Sequence, residues 1–402
     1  MTLAEAHPRR LGQAEFVALM AMTAATIAFS IDAMLPALPR MGADLSPADP
    51  ERAQLVVLAF VIGTGLGTFV AGPLSDAFGR KPVMIGGAVI YSLSAAAATW
   101  LDTLDGVLVA RVVQGIGASG PRVVAMAMIR DLYMGRGMAR ILSLTMTVFT
   151  LVPAIAPLIG AGIIAVSGWQ GVFWAFVVFS AATSLWLGLR QPETLPPTRR
   201  RPLDLAKMRA AVAEVLRHAV VRRAMLVQTL VFGILFSTIA SVQSIYAATF
   251  DAAETFPLWF GGVALVSGSV ALLNASIVER LGMVPIIRVG VCAHLLLSVA
   301  LLAGWSALPE ATRFPSYLVW QFASFALAGL AIGNLNAIAM APMGHLAGMA
   351  SSVISATATI LGALWAYPAI LLGDGTPVPQ VAVGAVLSGV AVVLAARLRE
   401  AA

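Results

Sequence analysis

Cysteine occurs once in the 402 residues, at position 292, which excludes an intrachain disulfide and a cysteine-based metal site. Charge is also scarce: 11% of residues are Asp, Glu, Lys or Arg, against roughly a quarter in an ordinary soluble domain. No nucleophile motif, phosphate-binding loop or metal-ligand cluster stands in the chain, so nothing points to an enzyme. No sizeable polar stretch is long enough for a soluble domain, which argues against a sensor or receptor.

What the chain has in abundance is hydrocarbon: 59% of its residues are hydrophobic and the mean hydropathy is +0.91. A bilayer core needs about 20 apolar residues per helical crossing. Runs of that length recur at 16–38, 52–73, 82–101, 106–129, 139–162 and 170–189, then at 224–249, 257–278, 284–304, 314–340, 346–371 and 377–396. The expected fold is an all-α integral membrane protein of twelve transmembrane helices in two pseudo-symmetric six-helix bundles. The weakest boundary is "NLNAIAMAPMGHLAG", between the tenth and eleventh spans.

A pI near 10.1 invites a nucleic-acid reading, but the distribution of charge opposes it. With the N-terminus placed in the cytoplasm, 20 of the 25 Lys and Arg residues fall on that side, nine of them within 190–223. Only Arg40, Arg52 and Arg313 fall outside, and Arg111 and Arg122 lie within the fourth span. That is the positive-inside pattern, with both termini cytoplasmic. Arg9 and Arg10 anchor the first helix; the apolar run after them is too long for an export signal.

The chain divides into an N-terminal half (1–189), a basic linker (190–223) and a C-terminal half (224–402). Within the linker, Leu205, Met208, Val212, Val215 and Leu216 recur at helical spacing, so a short amphipathic helix lies on the membrane surface or simply joins the halves. "GPLSDAFGR" (72–80) follows the second span and "ASIVERLGM" (275–283) the eighth. Aligning Asp76 with Glu279 sets Gly79 on Gly282, a trace of duplication.

Residues 72–82, "GPLSDAFGRKP", resemble the cytoplasmic loop signature of the major facilitator superfamily, matching at Gly72, Leu74, Asp76, Gly79, Arg80 and Lys81. "RVVQGIGASGPRVVAMAMIRDLY" (111–133) resembles the fourth-helix signature of proton-driven members and ends in Arg130 and Asp131. "LVPAIAPLIGAG" (151–162) is similar to the fifth-helix antiporter signature through Pro157 and Gly160, with Pro153 where the pattern has glycine. With "SIDAMLPALP", these features resemble the bicyclomycin-resistance branch of drug:proton antiporters. The resemblance implies alternating access, a cytoplasmic gating motif at Gly72, Asp76, Gly79, Arg80, Lys81, Arg130 and Asp131, and a bacterial inner-membrane location. It also implies a small-molecule substrate, protons and the lipid bilayer as partners, with no nucleic acid. No cofactor is implied beyond the proton as coupling ion, and the expected assembly is a monomer.

Charge at bilayer depth costs about 2.5–3.5 kcal/mol on insertion scales, so such residues face a bundle interior and find partners. Asp32 is seven residues before Pro39, roughly 10 Å below the outer surface, and Arg111 is roughly 8 Å deep, at the same level. Pro36 cannot donate to the carbonyl of Asp32, so the helix opens beside the carboxylate. Burial favours a neutral carboxyl and a neighbouring arginine favours the charged one, which is the requirement of a proton carrier. Arg122 follows Arg111 by eleven residues, about 20° beyond three full turns and about 16 Å along one face that Gln114 borders. It lines the cavity, or it snorkels or satisfies the carbonyl freed by Pro121.

Asp32 and Arg111 are therefore the expected proton-coupling pair. Arg122, Gln114, Met34, Gln243, Tyr246, Asn334 and Trp320 are the cavity and substrate candidates, and Pro153, Pro157 and Gly160 form the fifth-helix motif, with both prolines expected to kink the helix. His294 reads as a hydrogen-bonded structural histidine. Export of small molecules or drugs against protons is the leading expectation; a proton-coupled uptake permease with the same fold is the alternative.

Overall fold

Hydrocarbon offers no water to a backbone N–H or C=O, so a chain this apolar satisfies its polar backbone within helices. The computed structural model describes residues 11–399. The first half contains α1 (Gln13–Asp32), α2 (Leu38–Leu45), α3 (Leu55–Phe78), α4 (Arg80–Ala98), α5 (Leu104–Leu132) and α6 (Gly135–Arg190). A linker helix, α7 (Leu205–Arg217), precedes α8 (Ala219–Phe250), α9 (Phe256–Leu281), α10 (Met283–Gly304), α11 (Glu310–Met340), α12 (Ala347–Leu371) and α13 (Pro377–Ala395).

Among the described residues, ten helical stretches are long and apolar enough to cross a membrane, and two of them are each two crossings joined at a break, which makes twelve. The 56 residues of α6 would run about 84 Å as one rod, far beyond a core of about 30 Å. The break is at Gly168, whose φ of 67° suits glycine. The prolines expected to kink this helix do not interrupt it: Pro153 and Pro157 both sit inside helical geometry, and Gly168 alone leaves it. Between α11 and α12 the chain tightens into a 3-10 turn, Ala341–Leu346, with Pro342 in its first turn and Met343 outside helical geometry.

The repeat seen in the sequence has a backbone counterpart. Gly79 ends α3 with φ 105° and ψ 159°, and Gly282 ends α9 with φ 80° and ψ 159°. Both angles lie in the region open essentially to glycine, and each residue also opens the following helix.

The two halves meet along α3 with α12 and along α6 with α9. Glycine permits both approaches: a side chain on Gly65 would strike Ile360 and the Ala356 carbonyl, and one on Gly261 would strike the Ala154 carbonyl. The apolar core reveals which way the molecule stands. On the face away from the linker, one continuous cluster joins both halves, from Met34, Leu38 and Val57 to Ile245, Tyr246 and Ile370. On the linker face the core splits into one cluster per half. A cavity of about 690 Å³ opens there, lined by Gly72, Asp76, Arg130, Met208, His345 and Ser352. The molecule is closed on its distal face and open on its linker face.

α7 packs against α12 and α8, with Met208 and Ala211 toward the cavity and Val215 buried. Glu214 bonds His345 at 2.7 Å, so the helix's inward face is spent on protein, although Leu205 stays exposed.

Inside the first half, Gly115 of α5 faces the Phe60 carbonyl and Gly63 of α3 too closely for a β-carbon, whereas Gly86 has open space. Gly115→Ala is expected to destabilise the solubilised protein by about 1–3 kcal/mol through overpacking, and Gly86→Ala to change little, as read by thermal unfolding.

Candidate functional site

The first crossing is broken at its acid. α1 ends at Asp32, and the chain passes through a turn and a short 3-10 segment, Leu35–Ala37, before α2 resumes. Pro36 has no N–H for the Asp32 carbonyl, which accounts for the break. Gly160 of α6 packs directly on the carbonyl of Ala33, where any side chain would collide. The fifth-helix glycine thus seats the broken turn.

Asp32 is 4% exposed, and no hydrogen bond or ion pair reaches its carboxyl among the described residues. Arg111 has no exposed surface. The expected direct pairing of these two is not formed in this state. Arg111 instead donates to the carbonyl of Ser30 at 3.0 Å, to that of Val56 at 3.2 Å and to Gln114 Oε1 at 2.8 Å. Its guanidinium lies 4.3 Å from the ring centre of Phe60. Ser30 belongs to the last turn of α1, where free carbonyls favour a cation. Arg111 therefore ties α1, α3 and α5 together two residues from the acid. Beside it, the Ser30 and Tyr91 hydroxyls bond at 2.5 Å, and Gln114 Nε2 has no protein partner.

Among the other candidates, Arg122 is exposed, unlike Arg111 on the same helix. Met34 is fully buried in the apolar cluster that closes the distal face. Gln243 is buried with Oε1 unpartnered. Tyr246 donates to Gln321 at 2.8 Å within an aromatic cluster that includes Phe256 and Phe314. Asn334 bonds Asn274 at 2.9 Å, joining α11 to α9. Trp320 points into its own half, its indole N–H on Ser298 and its ring against His294. His294 in turn bonds Ser388 at 2.6 Å and Ser324 at 2.9 Å, a structural arrangement. The site residues of the second half are thus distributed through its core rather than gathered around one cavity.

The loop signature is more compact. Arg80 donates through Nε to Asp131 at 3.0 Å and through Nη1 to Asp76 and to Ser75, joining α3, α4 and α5. Lys81 reaches the Gly188 carbonyl at 2.6 Å. Gly72 and Arg130 line the linker-face cavity together with Asp76 and Arg80, and Arg130 is exposed. Sequence reasoning missed Glu193. Its carboxylate accepts the backbone N–H groups of Arg80, Lys81, Thr194 and Leu195 at 2.8–3.0 Å, capping the start of α4. Thr194 also bonds Asp131 at 3.1 Å. The available signal was "PET" directly after the sixth span, an acid between two residues that end a helix.

Twelve crossings in two halves, a split core around a cavity and a buried acid beside a broken helix define a membrane transporter, not an enzyme. The chain belongs to the Major Facilitator Superfamily, whose pattern matches residues 20–367. It is similar to a bicyclomycin resistance protein homolog of Haemophilus influenzae, 25% identical over 338 residues, 84% of each chain. It is also similar to multidrug resistance protein MdtL of Escherichia coli, 28% identical over 349 residues, 86% of this chain and 85% of that one. In fold it matches a D-xylose-proton symporter with a TM-score of 0.75, at 12% identity and covering 96% of this chain and 98% of that one.

Removing the Glu193 carboxylate strands four backbone donors, two at the start of α4 and two just after Glu193 itself. Glu193→Ala is expected to destabilise the α3–α4 junction by about 1–2 kcal/mol and to speed amide exchange at residues 80, 81, 194 and 195, with Glu193→Gln milder because it keeps an acceptor. Hydrogen-exchange mass spectrometry of that segment reads the result.

Proposed function

We propose that this transporter exports small molecules from the cytoplasm in exchange for protons by alternating access, with Asp32 carrying the proton. The observation that carries the reading is the buried, unpartnered carboxyl of Asp32 two residues from a carbonyl held by a fully buried Arg111. An ionised carboxyl without a partner is costly inside a membrane, and a proton removes that charge. Once the proton leaves, the carboxylate competes with the Ser30 and Val56 carbonyls for the guanidinium. A full negative charge attracts the guanidinium more strongly than a carbonyl dipole does, so Arg111 transfers to Asp32. That exchange releases the tie between α1 and α3 and lets the halves rock. The printed names of the relatives, bicyclomycin and multidrug resistance, support small antibiotics and other drugs as the substrate class.

The charge pattern supports placing the linker face in the cytoplasm of a bacterial inner membrane, with both termini inside. In that orientation the cavity of about 690 Å³ receives cytoplasmic substrate. The protein works as a monomer, needs no cofactor and uses the proton as its coupling ion.

Proteoliposomes with an imposed proton gradient test this, with bicyclomycin as the first probe. Wild type is expected to move the probe against the inward proton gradient. Asp32→Asn is expected to reduce gradient-driven movement to background while retaining downhill exchange. Full gradient-driven transport in the variant would remove Asp32 from the mechanism, and accumulation along with protons would establish uptake instead.

A further inference from the structure

On the closed distal face, Glu51 stands in a short 3-10 turn, Pro50–Gln54, between α2 and α3. One of its carboxylate oxygens accepts the hydroxyl of Ser244 on α8 at 2.6 Å, and the other accepts the side-chain amide of Gln54. The bond from Ser244 to Glu51 crosses from one six-helix half to the other. The remaining closure there is apolar. Beside the bond lies a small cavity lined by Glu51, Gln54, Ser241, Ser244, Ala369 and Gly373. Gln54 Oε1 and Ser241 Oγ are buried at this seam with no protein partner, so the closed state holds two polar atoms that separation of the halves would hydrate. Next to it a wider pocket of about 300 Å³ reaches the surface between Leu38, Pro39 and Ala248.

The turn that carries Glu51 is stiffly joined to the broken first helix. Gly42 of α2 lies against the Pro50 carbonyl with no room for a side chain, and the Ser46 hydroxyl bonds the carbonyl of Asp49 at 2.9 Å. α2 follows the Asp32 turn within six residues, so a rearrangement of that turn displaces α2 and the Glu51 turn as one body.

We infer that Glu51 is a positioning residue for transport, the polar latch that holds the distal gate shut through Ser244. The stacking of costs supports it. Unpaired polar atoms favour opening, the apolar cluster favours closure, and the Glu51–Ser244 bond adds to the closed side. Such a bond is placed where a small displacement of α2 lengthens it and frees the gate.

The test reads the seam itself and needs no substrate, so its outcome is independent of whether Asp32 carries the proton or which way substrate moves. Full-length protein carrying Cys292→Ser and Ala369→Cys is placed in nanodiscs, and the rate of maleimide labelling is followed. Position 369 is 2% exposed beside the latch, so parent labelling is slow. Glu51→Ala and Ser244→Ala are each expected to label about tenfold faster, the shift produced by losing a hydrogen bond to a charged group. The double variant is expected to label no faster than either single one, because both remove the same bond. Glu51→Gln, which keeps an acceptor oxygen, is expected to label more slowly than Glu51→Ala. Unchanged labelling in both alanine variants, or additive acceleration in the double variant, would overturn the latch.

Discussion

A guanidinium with no exposed surface holds the first half of this transporter in register. Arg111 lies where bulk water cannot solvate it, and its charge is distributed over two backbone carbonyls, an amide oxygen and an aromatic face. Those acceptors come from α1, α3 and α5, so the charge can be solvated only while the three helices keep this arrangement. The arrangement depends in turn on the break after Asp32, because an unbroken α1 would have no free carbonyls at that depth. Pro36 removes one helical bond, and Gly160 makes room for the carbonyl that turns outward. The acid, the break and the arginine form one unit, in which the guanidinium binds the Ser30 carbonyl two residues from the carboxyl.

Gating follows from where apolar surface is continuous. The distal face is sealed by a cluster spanning both halves, while the linker face is two separate cores with a cavity between them. Close helix contact at Gly65 and Gly261 keeps the halves in touch without bonding them rigidly. At the linker face, polar contacts stay within a half or run to the linker: Arg80 gathers Asp76 and Asp131, and Glu193 caps α4. These contacts join the first half to itself and to the linker, and none of them spans the cavity between the halves.

Features encoded locally were legible in the sequence. Twelve apolar runs, the turn at "GPLSDAFGR", the matching glycines at 79 and 282, and the Pro36 break all express local constraints of length, turn geometry or lost hydrogen bonds. Whatever depended on helix rotation or on contacts across a hundred residues was not. Asp32 and Arg111 share a level, but depth alone does not say that Arg111 turns toward the Ser30 carbonyl. Trp320 reads as a cavity residue because it is a polar aromatic in a span, whereas its indole faces Ser298 inside the second half. Pro153 and Pro157 stay in helical geometry within α6, and the separation of its two crossings falls at Gly168, which no proline marks. Glu193 and Glu51 act through partners more than a hundred positions away, beyond the reach of any periodicity.

The central claim is the proposed one, that Asp32 carries the proton exchanged for substrate, so that taking up substrate is linked to loss of that proton. Adding a transported compound to the detergent-purified protein in weakly buffered solution, with a pH indicator, tests it without a membrane gradient. The account predicts proton release from wild type on binding and none from Asp32→Asn. Equal release from both, or none from either despite binding, would contradict it.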